Sequence, residues 1–102
     1  MPKGYWIVRM DASDPEVYGR YVKANAEPLA RHGARFLVRG GKAEAVEGQA
    51  RGRNVVIEFP SFDAALACFK DPAYQAAKAI RDPVAEGEIV VVEGYEGAQP
   101  GG

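Results

Sequence analysis

Arg39 and the glycine pair behind it are the residues of this chain best placed to meet a small molecule. They close the run Phe36-Leu37-Val38-Arg39-Gly40-Gly41, an apolar strand pattern ending in a guanidinium beside two residues that accept backbone angles closed to others. A guanidinium in that position offers two parallel hydrogen bonds to a carboxylate. Strict alternation puts Phe36 and Val38 on one face of the strand and Leu37 and Arg39 on the other. At least one of Gly40 and Gly41 is expected at positive φ, where the strand bulges, bends or stops.

Other polar side chains fall on elements that can bring them towards Arg39: Arg9, Tyr18, Tyr21, His32, Glu58 and Tyr74. In a functional reading, Arg9 or Arg39 binds a carboxylate or enolate oxygen, with the tyrosines as further ligand contacts, while Glu58 or His32 moves a proton. In a structural reading, Glu58, held between Ile57 and Phe59, pairs with an arginine across antiparallel strands. His32 then complements a helix dipole, and the tyrosines pack in core and rim. Both readings stay open on residue types alone.

Other chemistries find little support. The single histidine and single cysteine lie far apart, and no carboxylate pair has a ligand spacing, so neither a metal nor another cofactor is expected. Both serines, Ser13 and Ser61, read as helix caps rather than nucleophiles. The glycines do not lead into a helix as a phosphate-binding loop requires. Cys68, in an alanine-rich helical pattern, reads as a small buried hydrophobe.

The elements follow from periodicity and punctuation. Tyr5 to Met10 is a strand of aromatic and β-branched residues. A helix from about 15 to 32 follows, capped either by Ser13 with Glu16 or by Asp14 with Pro15, with Pro28 inside it and Gly33 as its stop. The second strand spans about 34 to 41, with a possible extension over 42–47, and 48–52 reads as a hairpin turn. Asn54 to Phe59 is the third strand. Ser61 caps a second helix, which Asp71-Pro72 interrupts and restarts. Glu88 to Glu93 is the fourth strand, and 95–102 is a loose Gly- and Pro-rich tail after a single domain over 1–94.

This order is that of the ferredoxin-like βαββαβ fold, an α+β arrangement with helices on one face of a four-stranded antiparallel sheet. A sheet face turned to water should be polar, yet Trp6, Val8 and Met10 oppose Tyr5 and Ile7, and Val90 and Val92 oppose Ile89 and Val91. The face without helices therefore calls for a second copy of the chain, giving a homodimer.

With 102 residues, 47% apolar and 26% charged residues and a net charge of −1, the chain has an ordinary globular composition. No run approaches the roughly 20 apolar residues of a membrane span. No basic block or acidic tail suggests nucleic acid or a membrane surface as partner. The opening residues lack an apolar stretch of signal-peptide length, which points to the cytoplasm.

The segments Gly4-Tyr5-Trp6-Ile7, Phe36 to Gly41, Val56-Ile57-Glu58-Phe59-Pro60-Ser61 and Tyr74-Gln75, in that order, resemble the bacterial family known as domain of unknown function 1330. The likeness covers residues from about 3 to 94, and Asp71-Pro72-Ala73-Tyr74 keeps the proline and tyrosine of the family pattern. The resemblance implies a dimeric α/β barrel. The wider superfamily includes antibiotic-biosynthesis and haem-degrading monooxygenases, muconolactone isomerases and dehydratases, which place small ligands in a cleft between sheet and helices. Two functions are therefore expected: a cofactor-independent monooxygenase- or isomerase-like enzyme acting on a small apolar anion, or a non-catalytic dimer that binds such a ligand or serves as an accessory subunit. A closed pocket holding Arg39 together with a carboxylate or histidine would favour the enzyme.

Overall fold

Asp14 decides where the first helix begins. In the computed structural model, which describes residues 2–102, its side chain accepts hydrogen bonds from the backbone N–H groups of Glu16 and Val17 at 3.1 and 3.2 Å. Pro15 takes the first helical position, where a missing N–H costs nothing. Of the two caps the sequence allows, Asp14 is therefore the one used, and the Ser13 hydroxyl donates to the Val84 carbonyl instead. At the far end Gly33 has φ +77°. Its N–H reaches the Ala30 carbonyl and that of Ala34 reaches Leu29, the paired bonds that close a helix on a left-handed glycine.

The same logic sets the remaining elements. Strand β1 (Gly4–Ala12) leads to α1 (Pro15–Arg31), β2 (Arg35–Arg39), β3 (Arg53–Phe59), α2 (Phe62–Lys70), α3 (Pro72–Arg81), a single 3₁₀ turn over 82–84 and β4 (Ala85–Glu93). Ser61 accepts from the Ala64 N–H at 3.0 Å to cap α2, and Asp71 accepts from the Ala73 N–H at 2.8 Å to cap α3. The strands form one four-stranded sheet in the order β2-β3-β1-β4, with every neighbour antiparallel. This is the ferredoxin-like α+β fold. No helix among the described residues is long and apolar enough to cross a membrane.

Register divides the residues between the two faces. Trp6 lies opposite Ile57 and Val91, and Val8 opposite Val55 and Ile89, all packed into or against the core beneath the helices. The Trp6 indole N–H donates to the Ala65 carbonyl at 2.9 Å. Its ring meets Tyr74 at 4.9 Å and Phe59 at 5.2 Å between centroids, which anchors α2 and α3 on the sheet. On the other face Ile7 lies opposite Val56 and Val90. No helix among the described residues covers that side, and Ile7, Val38, Val90 and Val92 remain 37–54% exposed.

Two expectations need correction. The strand extension over 42–47 does not form, and 40–52 is an irregular arm. Ala43 and Ala45 give a strand nothing large to bury, and the arm is tied down by polar bonds. Arg51 bridges Asp11 and Glu88, both at 2.8 Å, the Gly52 N–H donates to Asp11 at 2.8 Å, and Arg9 donates to the Gln49 carbonyl at 2.7 Å. The second correction concerns β2, where the pairing with β3 shifts at Leu37. Phe36 pairs with Ile57 and Arg39 with Val55, whereas Val38 pairs with Val56. Phe36 and Arg39 thus share the helix-side face and Val38 takes the open face, because a bulge adds one residue to the count that alternation assumes.

Gly40 turns the chain out of the sheet at φ +68° while its N–H donates to the Asn54 carbonyl at 3.1 Å. A Cβ at Gly40 or at Gly41 would meet nothing within 4 Å, and of the two only Gly40 has positive φ. Gly40→Ala is therefore expected to cost about 1 kcal/mol through backbone strain alone, a drop in melting temperature of roughly 4–8 °C. Gly41→Ala should stay within about 0.5 kcal/mol of the native chain. Equal melting temperatures for the two variants would show that the left-handed turn is not what Gly40 supplies.

Candidate functional site

The bulge at Leu37 aims Arg39 at the helix side of the sheet, and the site is built around that. The Arg39 guanidinium lies 4.1 Å from the centre of the Phe36 ring, a neighbour that strict alternation would have put on the opposite face. Arg53, three pleats along β3 from Phe59 on the same face, places its guanidinium 4.3 Å from the centre of the Tyr18 ring on α1. Neither guanidinium forms an ion pair among the described residues, whereas Arg9, Arg20, Arg31, Arg51 and Arg81 all do. Stacking on a ring fixes the plane of the cation and leaves its N–H edge free for an anion.

Between these arginines and α1 lies a cavity of about 90 Å³, walled by Trp6, Val8, Val22, Val55 and Ile57, with Tyr18, Tyr21 and Asn25 as its polar groups besides Arg39 and Arg53. An apolar cavity of about 150 Å³ takes a benzene. This smaller one accepts one end of a molecule and leaves the rest at the mouth, near Arg39, which is exposed. Tyr18 and Tyr21 meet edge to face at 5.2 Å, and the Tyr21 and Tyr74 hydroxyls share a 2.8 Å hydrogen bond. Burial pushes the Tyr18 and Tyr74 hydroxyls above the ordinary phenol range, so both stay protonated at neutral pH.

The polar set read from the sequence does not converge as a whole. Arg39, Tyr18 and Tyr21 come together at the cavity, and Tyr74 stands behind Tyr21. Glu58 is on the opposite face of the sheet, opposite Tyr5 and Arg35 in register, and accepts from the Tyr5 hydroxyl at 3.2 Å. Arg9 is on that face too, occupied by Gln49 and Glu88. Both follow from the pleat, since residues 9 and 58 lie one place out of step with Val8 and Ile57. His32 caps the C-terminus of α1, where its Nε2 lies 2.8 Å from Asp71 Oδ2. Arg31 and His32 hold the Asp71 carboxyl below the usual carboxylate range, so this cluster ties α1 to the start of α3. Among the described residues, no carboxylate or imidazole lines the cavity. Cys68 is fully buried, and burial pushes its thiol up to about 12.

Two cavity residues escaped the sequence reading although the signal was there. Asn25 continues the helical spacing of Tyr18, Tyr21 and Val22, and Arg53 continues the alternation of Val55 and Ile57. A polar residue on an apolar stripe was the sign in each case.

The family described as domain of unknown function (DUF1330) matches residues 3–95. No curated protein matches the chain significantly. Among solved structures, a protein of unknown function from Rhodopseudomonas palustris is 19% identical with TM-score 0.68, covering 94% of this chain and 83% of that one. SnoaB, a cofactor-independent oxygenase from Streptomyces nogalater, is 14% identical with TM-score 0.66, covering 98% of this chain and 99% of that one. A dimeric ferredoxin-like protein of unknown function from Thermobifida fusca is 19% identical with TM-score 0.58, covering 90% and 89%. At such identities the likeness is one of fold.

Proposed function

The chain belongs to the DUF1330 family, and from that premise we propose that it binds a small, apolar, anionic molecule in the cavity between α1 and the sheet. One observation carries the reading: Arg39 and Arg53 are each laid on an aromatic ring at an apolar cavity with no carboxylate to neutralise them among the described residues. Arg53 is half-buried with no anionic partner among the described residues and Arg39 stands at the mouth with its N–H edge open to solvent, so a ligand carboxylate, enolate or phenolate can meet both guanidinium groups. The apolar end of the ligand enters against Val8, Val55 and Ile57 and its charge stays with the guanidinium groups.

The test is native mass spectrometry of the purified protein, followed by titration with paired carboxylates and neutral amides of the same shape. Carboxylates should bind at least about tenfold more tightly, the scale of a charge-assisted hydrogen bond. Equal affinity for the amides would overturn the anion reading.

A second reading makes the protein an enzyme, and the fold shared with a cofactor-independent oxygenase favours it. Two guanidinium groups lower the pKa of a bound phenol or enol and hold it as the electron-rich anion on which such chemistry depends. With no carboxylate or imidazole lining the cavity, the proton would leave to solvent. Oxygen uptake measured with every phenolate or enolate that binds separates an oxygenase from binding alone, and a flat trace throughout would rule the oxygenase out.

The same proposal includes a homodimer through the helix-free sheet face, supported by the exposed Ile7, Val38, Val90 and Val92 and by the dimeric state of the Thermobifida fusca relative in fold. It places the protein in the cytoplasm, where the lone cysteine, Cys68, remains a thiol.

A further inference from the structure

Tyr74 is fully buried and does not line the cavity, yet its hydroxyl carries a hydrogen that needs an acceptor. Among the described residues its one hydroxyl partner is Tyr21, 2.8 Å away. The other polar group beside the pair is Arg81, itself 5% exposed, whose guanidinium lies 5.1 Å from the centre of the Tyr21 ring and whose charge bears on both hydroxyls. A guanidinium donates and never accepts. Arg81 Nε has no partner of its own, so this corner of the core is already short of acceptors.

The direction of the Tyr21–Tyr74 bond follows from counting hydrogens. If Tyr21 donated to Tyr74, the Tyr74 hydrogen would be stranded in the core, the costliest outcome for a buried donor. If Tyr74 donates to Tyr21, every hydrogen of the buried member is used, and the one left over belongs to Tyr21, the member that lines the cavity. Arg81 supplies no acceptor to either hydroxyl, so neither hydrogen turns towards it and the direction rests on which member reaches the cavity. Tyr21 is the deeper contact, being 6% exposed, while Arg39 stands at the surface.

We propose that Tyr21 donates a hydrogen bond to a second oxygen of the ligand, with Tyr74 and Arg81 as positioning residues that turn the Tyr21 hydrogen into the cavity. This rests on the anion-binding reading and narrows it: the ligand carries its negative charge at the Arg39 and Arg53 end and an acceptor, a carbonyl or ether oxygen, at the inner end. Keto- and formyl-carboxylates fit that description, whereas purely hydrocarbon carboxylates fill the space and leave the Tyr21 hydrogen unmet.

The experiment is calorimetric titration of the native chain and of Tyr21→Phe, Tyr74→Phe and Tyr18→Phe with 4-formylbenzoate and its isostere 4-ethenylbenzoate, and with the neutral pair cyclohexanone and methylenecyclohexane. The native chain should prefer each carbonyl compound over its alkene by at least about fivefold, the range of one net hydrogen bond. Tyr21→Phe should remove the preference without weakening the alkene. Tyr74→Phe, which keeps the Tyr21 hydroxyl but frees it to rotate, should reduce it, and Tyr18→Phe should cost less of it than Tyr21→Phe does. A native chain without the preference, or a preference that follows Tyr18 instead of Tyr21, overturns the proposal. The neutral pair keeps the two readings apart. If the benzoates fail to bind while Tyr21 still selects cyclohexanone, the anion site falls and the donor stands. If the benzoates bind without discrimination, the donor falls and the anion site stands, and if no probe binds, both fall.

Discussion

A glutamate at the centre of the helix-free sheet face, introduced as Ile7→Glu or Val90→Glu, should leave a folded monomer, whereas on the proposed dimer the native chain should sediment at twice its 11.0 kDa. The two positions are Cα partners in the β1–β4 pairing, with Val56 across β3 from Ile7. One substitution therefore puts a charge in the middle of the apolar patch on each copy. Two such faces packed together would desolvate both carboxylates, while Arg9 on that face is already engaged by Gln49 and Glu88, a cost of several kcal/mol per ion, or at least about a thousandfold in the dimer dissociation constant. The monomer should stay folded because Ile7 and Val90 are 37% and 54% exposed within one chain, so the glutamate has water to turn to. Sedimentation velocity at micromolar concentration, with circular dichroism on the same samples, reads both outcomes. A native chain that sediments as a monomer, or glutamate variants that still pair, would show that the exposed valines are covered by something else.

What the sequence made legible was whatever depends on period and punctuation. Asp14-Pro15 and Asp71-Pro72 both start helices in the structure, because a cap followed by proline leaves the chain few alternatives, and Ser61 starts one through its side-chain cap alone. The strands were found for a similar reason, and their order follows from the βαββαβ sequence. The site was less legible because it depends on parity. One added residue at Leu37 exchanges the faces of everything beyond it in β2, so Arg39 reaches the cavity for a reason that alternation could not supply. Glu58 and Arg9 were grouped with Arg39 by residue type, yet their register places them on the far side of the sheet. His32 was a candidate base until Asp71, distant in sequence, came within 2.8 Å of it. Contacts of that kind belong to the tertiary structure, and no local pattern announces them.

Arg39→Lys should separate binding from folding more cleanly than any other single change. Arg39 makes no ion pair or side-chain hydrogen bond among the described residues; its contact is the face of Phe36 at 4.1 Å. An exposed cation–π contact is worth about 0.5–1 kcal/mol, and lysine keeps part of it, so the thermal midpoint should move by no more than a degree or two. Charge stays, but the planar fork that meets both oxygens of a carboxylate is lost. Binding of a small carboxylate should weaken by roughly 1–3 kcal/mol, about 5- to 150-fold. Arg53→Lys, on Tyr18 at 4.3 Å, should behave alike, and the double variant should fall short of the sum because both cations address one ligand. A structural role makes the opposite pattern: if Arg39 holds a carboxylate of a neighbouring subunit, the lysine variant melts lower or dissociates with no ligand present. Glu58, the intramolecular partner that residue types suggested, is engaged by Tyr5 on the other face and offers no such role. Melting curves with and without benzoate, on native and lysine proteins, therefore decide the matter: a destabilised variant whose native parent gains nothing from any carboxylate would end the case for an anion site at Arg39.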